Sequence, residues 1–163
     1  MGKQLGKKLS AGDAAPAFDL PSDSGETMKL ADFKGQPLVL YFYPKDNTPG
    51  CTREAQAFTK LAGAFKKAGA AVVGVSKDSV ASHCGFRDQL KLKIPLLSDP
   101  GLEVHKAYGA YGEKTSYGKK TVGVIRSTFL IDGKGKIARA WSSVKVDGHA
   151  EAVLEAVAEL GRG

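Results

Sequence analysis

A cysteine that follows a proline and a threonine at the mouth of a helix is the residue in this chain best placed for chemistry. The segment Tyr41-Phe42-Tyr43-Pro44-Lys45-Asp46-Asn47-Thr48-Pro49-Gly50-Cys51-Thr52-Arg53-Glu54 runs from an apolar strand through a polar turn into a helix. With Thr48 as the N-cap, Pro49 takes the first helical position, where proline is favoured, and Cys51 the third. The third position usually carries an acidic side chain, facing N–H groups without intrahelical partners at the positive end of the helix dipole. A thiol placed there loses its proton more readily. An ordinary thiol, with a pKa of about 8.5, is only a few per cent thiolate at neutral pH. A helix-start thiol beside a cation, with a pKa of about 6, is about nine-tenths ionised. A cysteine of this kind can also simply pack, but the Pro-x-x-x-Thr-x-x-Cys context favours a nucleophile.

The nucleophile needs a cation. Arg126 stands in Val124-Ile125-Arg126-Ser127-Thr128-Phe129-Leu130-Ile131, at the start of an apolar strand. An arginine there either reaches water along its own stem or finds an anion, because a buried unpaired charge is costly. A thiolate at Cys51 with a bound oxyanion would satisfy it. Other polar residues carry less. His83, Cys84 and His105 share no metal-ligand spacing, so no metal is expected. His149 is expected to be exposed in the first turn of the last helix, and Trp141 to be core or pocket wall.

These residues need a scaffold. Phe18 to Leu20 and Thr27 to Leu30 read as an N-terminal hairpin around Ser22 to Gly25. Leu38 to Tyr43 is a nearly continuous apolar run, as in a central strand covered on both faces. Ala55, Phe58, Leu61, Ala62 and Phe65 recur at helical spacing, so one amphipathic helix follows Cys51. Ala70 to Val75 is a second buried strand. Ser79 to Leu90 is a helix with Gly85 as its weak point. Pro95 to Ser98 is a short strand, and Leu102 to Tyr108 a short helix. Gly109 to Gly123, rich in Gly, Tyr and Lys, is predicted to be a long surface loop with Tyr108, Tyr111 and Tyr117 solvated. Ser127 to Ile131 and Lys136 to Trp141 flank Asp132-Gly133-Lys134-Gly135, a hairpin signal. Asp147 is the expected N-cap of a closing helix that buries Ala150, Val153, Leu154, Val157 and Leu160 and stops at Gly161. Strands joined by helices, then a hairpin and a last helix, make a three-layer α/β sandwich.

Bulk properties bound the rest. The 163 residues, 42% hydrophobic and 25% charged, suit one globular domain. Residues 1–10 read as a flexible basic tail and 11–163 as the domain. The tail lacks the apolar core of a secretory signal, and no apolar run is long enough to span a membrane. Two cysteines make no disulfide framework, so a reducing, cytoplasmic setting is expected. The net charge of +7 is dispersed, with only a short cluster from Lys114 to Lys120. No nucleic-acid-binding motif accompanies it, so a solvated basic surface is expected rather than a nucleic-acid partner.

The segment Pro44 to Glu54, together with Arg126-Ser127-Thr128-Phe129-Leu130-Ile131-Asp132, closely resembles the peroxiredoxins, most of all the PrxQ or bacterioferritin comigratory protein subfamily. The resemblance spans about Ala14 to Leu160. It implies a thioredoxin-like fold, a central mixed sheet flanked by helices, and reduction of hydrogen peroxide and organic hydroperoxides without metal or organic cofactor. Cys51 matches the peroxidatic cysteine. Thr48 matches the residue whose hydroxyl bonds the peroxide, Pro44 the one that shields the pocket, and Arg126 the one that holds thiolate and peroxide. Glu54 matches a glutamate that orients the site. The product would be a sulfenic acid.

Many PrxQ proteins carry a resolving cysteine five residues after the peroxidatic one, where this chain has Gln56. Others carry it in the next helix. Cys84 lies there, about one turn before the position where those relatives have it, which is Arg87 here. The resemblance thus implies Cys84 as the resolving residue after local unwinding, with Gly50 and Gly85 as soft points. Thioredoxin or a similar dithiol would recycle the enzyme, and the subfamily suggests a monomer. The alternatives are a one-cysteine peroxidase resolved by an external thiol, a disulfide oxidoreductase, which the missing Cys-x-x-Cys disfavours, and a non-catalytic module on the same fold.

Overall fold

The computed structural model describes residues 9–116 and 118–162. A short antiparallel hairpin, β1 (Asp19–Pro21) and β2 (Thr27–Lys29), comes first, followed by a 3-10 turn at Leu30–Phe33. Then come β3 (Leu38–Phe42), α1 (Pro49–Lys60), α2 (Ala62–Lys67), β4 (Ala71–Ser76), α3 (Val80–Leu90), β5 (Leu96–Ser98) and α4 (Glu103–Ala107). A second hairpin, β6 (Tyr111–Ser116) and β7 (Lys119–Val124), leads into β8 (Ser127–Ile131), β9 (Ile137–Trp141) and α5 (His149–Arg162). The central five-stranded sheet has the order β5-β4-β3-β8-β9. β3, β4 and β5 run parallel, while β8 and β9 are antiparallel to their neighbours. This is the mixed sheet flanked by helices that the sequence predicts.

Period-two alternation along β3 divides the core into two layers. Val39, Tyr41 and Tyr43 point into one, with Cys51, Ala55 and Phe58 of α1, Phe65 of α2, Phe86 of α3, and Val153 and Val157 of α5. Leu38, Leu40 and Phe42 point into the other, with Leu9, Phe18, Leu20, Tyr108 and Phe129. Every residue of β3 is buried, which explains why its sequence reads as a continuous apolar run rather than an alternating one. Gly74, facing Tyr41 from β4, has a specific reason. A Cβ there would lie 2.8 Å from Cζ of Tyr41, so only glycine admits that ring.

Several expectations are corrected. The predicted surface loop at 109–123 is largely the β6–β7 hairpin, turning at Gly118 with φ of 80°. Of β7, only Val124 is buried, so the strands leave no apolar alternation to read. Tyr108 is buried and donates to the Pro16 carbonyl at 2.5 Å, and Tyr111 lies half-buried beneath the Lys106 ammonium. Tyr117 lies outside the described residues. The single helix expected after Cys51 breaks at Leu61 (φ −96°, ψ 6°). Gly63 weakens propensity just beyond the break, and α2 then packs on β4 and α5.

Leu9 is buried in the second layer, so the domain begins before residue 11, and residues 1–8 lie outside the described part. Asp147 does not cap α5. It sits two residues before the helix and accepts from Arg53 at 2.7 Å. α5 also continues through Gly161 to Arg162. Among the described residues no helix is long and apolar enough to cross a membrane.

Candidate active site

The site forms where β3 ends. The chain leaves the sheet at Tyr43, passes half-buried Pro44, and reaches α1 through Asn47, which adopts the left-handed region at φ of 66° that asparagine tolerates. Thr48 is the extended N-cap residue (φ −89°, ψ 154°) and Pro49 the first helical residue. The Thr48 hydroxyl does not cap the helix but donates to the Lys45 carbonyl at 2.8 Å. The first bond into α1 is Thr52 N–H to Thr48 C=O at 2.8 Å. The N–H groups of Gly50 and Cys51 precede it, leaving them to face whatever lies at the helix mouth.

Cys51 is buried, with 1% of its surface exposed, and it is not disulfide-bonded. Arg126 reaches it from the residue before β8. Its Nη2 donates to Cys51 Sγ at 3.4 Å, and its Nη1 to Glu54 Oε1 at 2.5 Å. Cys51 and Glu54 are three apart on α1 and share one face, so a single planar guanidinium spans both. Gly50 makes this approach possible, because a Cβ there would lie 3.1 Å from Arg126 Nη2. The structure thus brings Cys51, Glu54 and Arg126 into one cluster at the end of β3, with Thr48 as the N-cap residue of the same helix and Pro44 on the loop that enters it.

Burial pushes the Glu54 carboxyl up to about 7, against the pull of the Arg126 guanidinium. Burial works to lower Arg126, but the charges of Glu54 and Cys51 hold it above its ordinary value. Glu54 Oε2 and the Tyr41 hydroxyl are buried without hydrogen-bond partners. Burial, and then the negative charges of Glu54 and Cys51, raise the Tyr41 phenol well above its usual range, so it stays a neutral donor.

Cys84 is not in this cluster. It lies half-buried on α3, and its Sγ donates to the Asp23 carbonyl at 3.2 Å. Arg87 Nη1 donates to the same oxygen at 2.9 Å. Both Cys51 and Cys84 are free thiols.

One histidine departs from the sequence reading, and a second makes a contact the sequence did not address. His149 is buried, not exposed. Its Nε2 lies 2.8 Å from Thr128 Oγ1, and burial, with the nearby Arg126 charge, lowers it to about 4, so it is neutral. His83 is wholly buried against Asp46 in the loop between Pro44 and Thr48. No periodicity could reveal either contact, since each joins elements far apart in sequence. Trp141 is half-buried against the first layer and meets the His149 ring edge-on. Among the described residues no group of three or more His, Cys, Asp and Glu side chains is arranged to hold a metal ion.

A buried helix-start thiol faced by a guanidinium, set on a thioredoxin-like sheet, defines a class: the thiol-dependent peroxidases of peroxiredoxin type. The chain belongs to the AhpC/TSA family, whose profile matches residues 11–140. It is 48% identical over 145 residues to peroxiredoxin Bcp of Xanthomonas campestris, a match covering 88% of this chain and 91% of that protein. It is 47% identical over 146 residues to a putative peroxiredoxin bcp of Coxiella burnetii, covering 90% and 97%. Among solved structures, the bacterioferritin comigratory protein of X. campestris superposes with a TM-score of 0.86 at 42% identity, covering 93% of this chain and 99% of that one. That structure bears on alkyl peroxide reduction by the X. campestris protein, through trapped intermediate and ligand complexes. A peroxiredoxin 6 of Arenicola marina, 23% identical with a TM-score of 0.80, shares the fold.

Proposed function

We propose that Cys51 is the peroxidatic residue of this enzyme, acting on hydrogen peroxide and organic hydroperoxides. The Cys51 thiolate attacks the nearer peroxide oxygen in line with the O–O bond. That bond breaks, sulfur gains the oxygen as sulfenic acid, and the departing oxygen leaves with the electron pair and takes up a proton as water or alcohol. Arg126 and the N–H groups of Gly50 and Cys51 are donors aimed at the charge that develops, and they need no rearrangement during the step. The Thr48 hydroxyl, with its proton committed to the Lys45 carbonyl, presents lone pairs that accept the hydroperoxide O–H. Pro44 limits water at the loop, and Glu54 fixes the guanidinium. The observation that carries this reading is one guanidinium joining the Cys51 sulfur at 3.4 Å and Glu54 at 2.5 Å.

Cys84 then resolves the sulfenic acid: its thiolate attacks the Cys51 sulfur, an S–S bond forms, and hydroxide leaves. A disulfide requires Cα atoms within about 7 Å, and the two sulfurs bond different partners, Arg126 and the Asp23 carbonyl; in this reading the first turn of α1 and part of α3 unwind first. Thioredoxin or a similar dithiol reduces the bridge, with the protein acting as a monomer in the cytoplasm, where free thiols persist. A second reading, resolution by an external thiol, draws support from the contacts of Cys84 and Arg87 with Asp23, which hold α3 folded.

Two experiments test this. Peroxide consumption by the wild type is expected to vanish in Cys51→Ser, and equal rates in both would reject the assignment. Intact mass after one equivalent of peroxide is expected to fall by two hydrogens. A persistent added oxygen with Cys84 still alkylatable would reject Cys84 in favour of the external thiol.

A further inference from the structure

One buried polar cluster lies outside the Cys51–Arg126 contact, yet it touches both halves of the machinery. Asp46, in the middle of the Pro44–Thr48 loop, is 3% exposed, and His83, beside Cys84 on α3, is fully buried. Oδ1 of Asp46 accepts from the Tyr43 hydroxyl at 2.6 Å, and Oδ2 accepts from Ser82 Oγ at 2.8 Å. His83 Nδ1 lies 2.8 Å from the same Oδ2, and His83 Nε2 lies 2.8 Å from the carbonyl of Leu97 in β5. The backbone N–H of Asp46 donates to Asp78 Oδ2 at 2.8 Å, and Ser76 Oγ donates to the same carboxylate at 2.6 Å.

The protons in this cluster can be counted. A carbonyl oxygen only accepts, so Nε2 of His83 carries a hydrogen. Asp46 Oδ2 faces Nδ1 at 2.8 Å, so a second proton lies between them and the two side chains form a desolvated hydrogen-bonded bridge. The donors around Asp46 hold its carboxyl below the usual range even though burial acts to raise it. Such a bridge contributes little to net stability but fixes geometry, because losing one partner strands the other. Here it joins the loop to α3, while the bonds from Asp46 N–H to Asp78 and from the Thr48 hydroxyl to the Lys45 carbonyl hold the loop from other sides. Asn47 follows in a left-handed conformation, and Thr48 follows that, so the position of the Thr48 hydroxyl and of the first turn of α1 depends on where Asp46 is held.

We propose that Asp46 and His83 are positioning residues for the peroxidase reaction, tying the Thr48–Cys51 loop to the first turn of the helix that carries Cys84. While the bridge stands, the loop is set for attack on peroxide and α3 is folded. When α3 unwinds so that Cys84 can reach Cys51, His83 and Ser82 leave Asp46, and the loop is released with them. The two local unfoldings that disulfide formation needs thus become one event. The second half of this inference rests on Cys84 as the resolving residue, whereas the first half does not.

The test separates the two steps. Asp46→Asn, His83→Gln and the apolar double variant Asp46→Ala/His83→Leu are made in the full chain, each with Cys84 and each with Cys84→Ser. The double variant leaves no stranded charge, and the urea midpoint of every variant is measured beside its rates, because the Tyr43 hydroxyl and the Leu97 carbonyl also lose a partner. Quenched flow with an intact-mass readout follows Cys51 oxidation in the Cys84→Ser series and disulfide formation in the other. Oxidation is expected to slow by about tenfold or more as Thr48 loses its placement. Disulfide formation is expected to accelerate by roughly threefold as α3 loses an anchor. Opposite signs in the two steps support the proposal. An unchanged oxidation rate overturns it, as does a slowing of both steps in proportion to a fall in the urea midpoint, which a purely structural role would give. If the parent itself forms no disulfide, the resolving role of Cys84 fails, and the oxidation arm still decides whether Asp46 and His83 position the loop.

Discussion

Replacing Glu54 with glutamine should flatten the dependence of stability on pH by an amount the structure fixes. The Glu54 carboxyl is 1% exposed, Oε1 is bound to Arg126, and Oε2 has no partner. Burial raises it from 4.5 to about 7. Because the folded-state value lies above the unfolded one, folding favours the protonated form. Below about pH 4.5 the group is neutral in both states and costs nothing. Between 4.5 and 7 the unfolded chain ionises while the folded one holds its proton, so stability falls as pH rises. The shift corresponds to about 3 kcal/mol lost by pH 8. Glutamine keeps an oxygen for Arg126 and cannot ionise. The difference in unfolding free energy between the two proteins should therefore change by about 3 kcal/mol between pH 4 and pH 8, with the wild type losing ground. Urea denaturation across that range measures it. A Cys51→Ser background removes thiol oxidation, and Cys51 is not among the causes of the Glu54 shift. The depressed Asp46 carboxyl gains stability with pH in the acid range, but it is common to both proteins and cancels. Parallel stability curves would mean that folding leaves the Glu54 carboxyl at its unfolded value, and the reasoning from burial would be refuted.

Two further substitutions probe close approaches. Gly50→Ala puts a methyl 3.1 Å from Arg126 Nη2. The guanidinium, already fixed by Glu54, must yield, so oxidation of Cys51 should slow by about tenfold with the urea midpoint nearly unchanged, and stopped-flow peroxide kinetics would reveal an unaltered rate if the contact were irrelevant. Gly74→Ala forces a Cβ to 2.8 Å from the Tyr41 ring, which has no room to retreat beside Phe58. It should cost about 1–3 kcal/mol as overpacking, and a thermal midpoint equal to wild type would contradict the packing described.

Much of the chemistry was legible because it is local. The Thr48-Pro49-Gly50-Cys51 order dictates a helix start with a thiol in its first turn, and that turn forms as the order requires. The apolar run at 38–43 is legible because burial on both faces leaves an unbroken pattern. Glu54 shares a face with Cys51 by helical spacing alone. The β6–β7 hairpin was not legible, since strands that bury almost nothing carry no pattern. Gly50 looked like a soft point, and its neighbour Arg126 arrives from another strand to give the missing side chain a different reason.

The sequence by itself determined a thiol at a helix mouth, the family, and the order of the central strands and most helices, because each is written in spacings of a few residues or in a long matched motif. Only the tertiary structure decided which charges meet. It brought Arg126 to both Cys51 and Glu54, closed His83 over Asp46, hid His149 behind Thr128, and turned the Cys84 thiol toward Asp23. Those pairings join residues from 21 to 75 positions apart, and a contact of that span is set by how the sheet and helices pack, which no local pattern records.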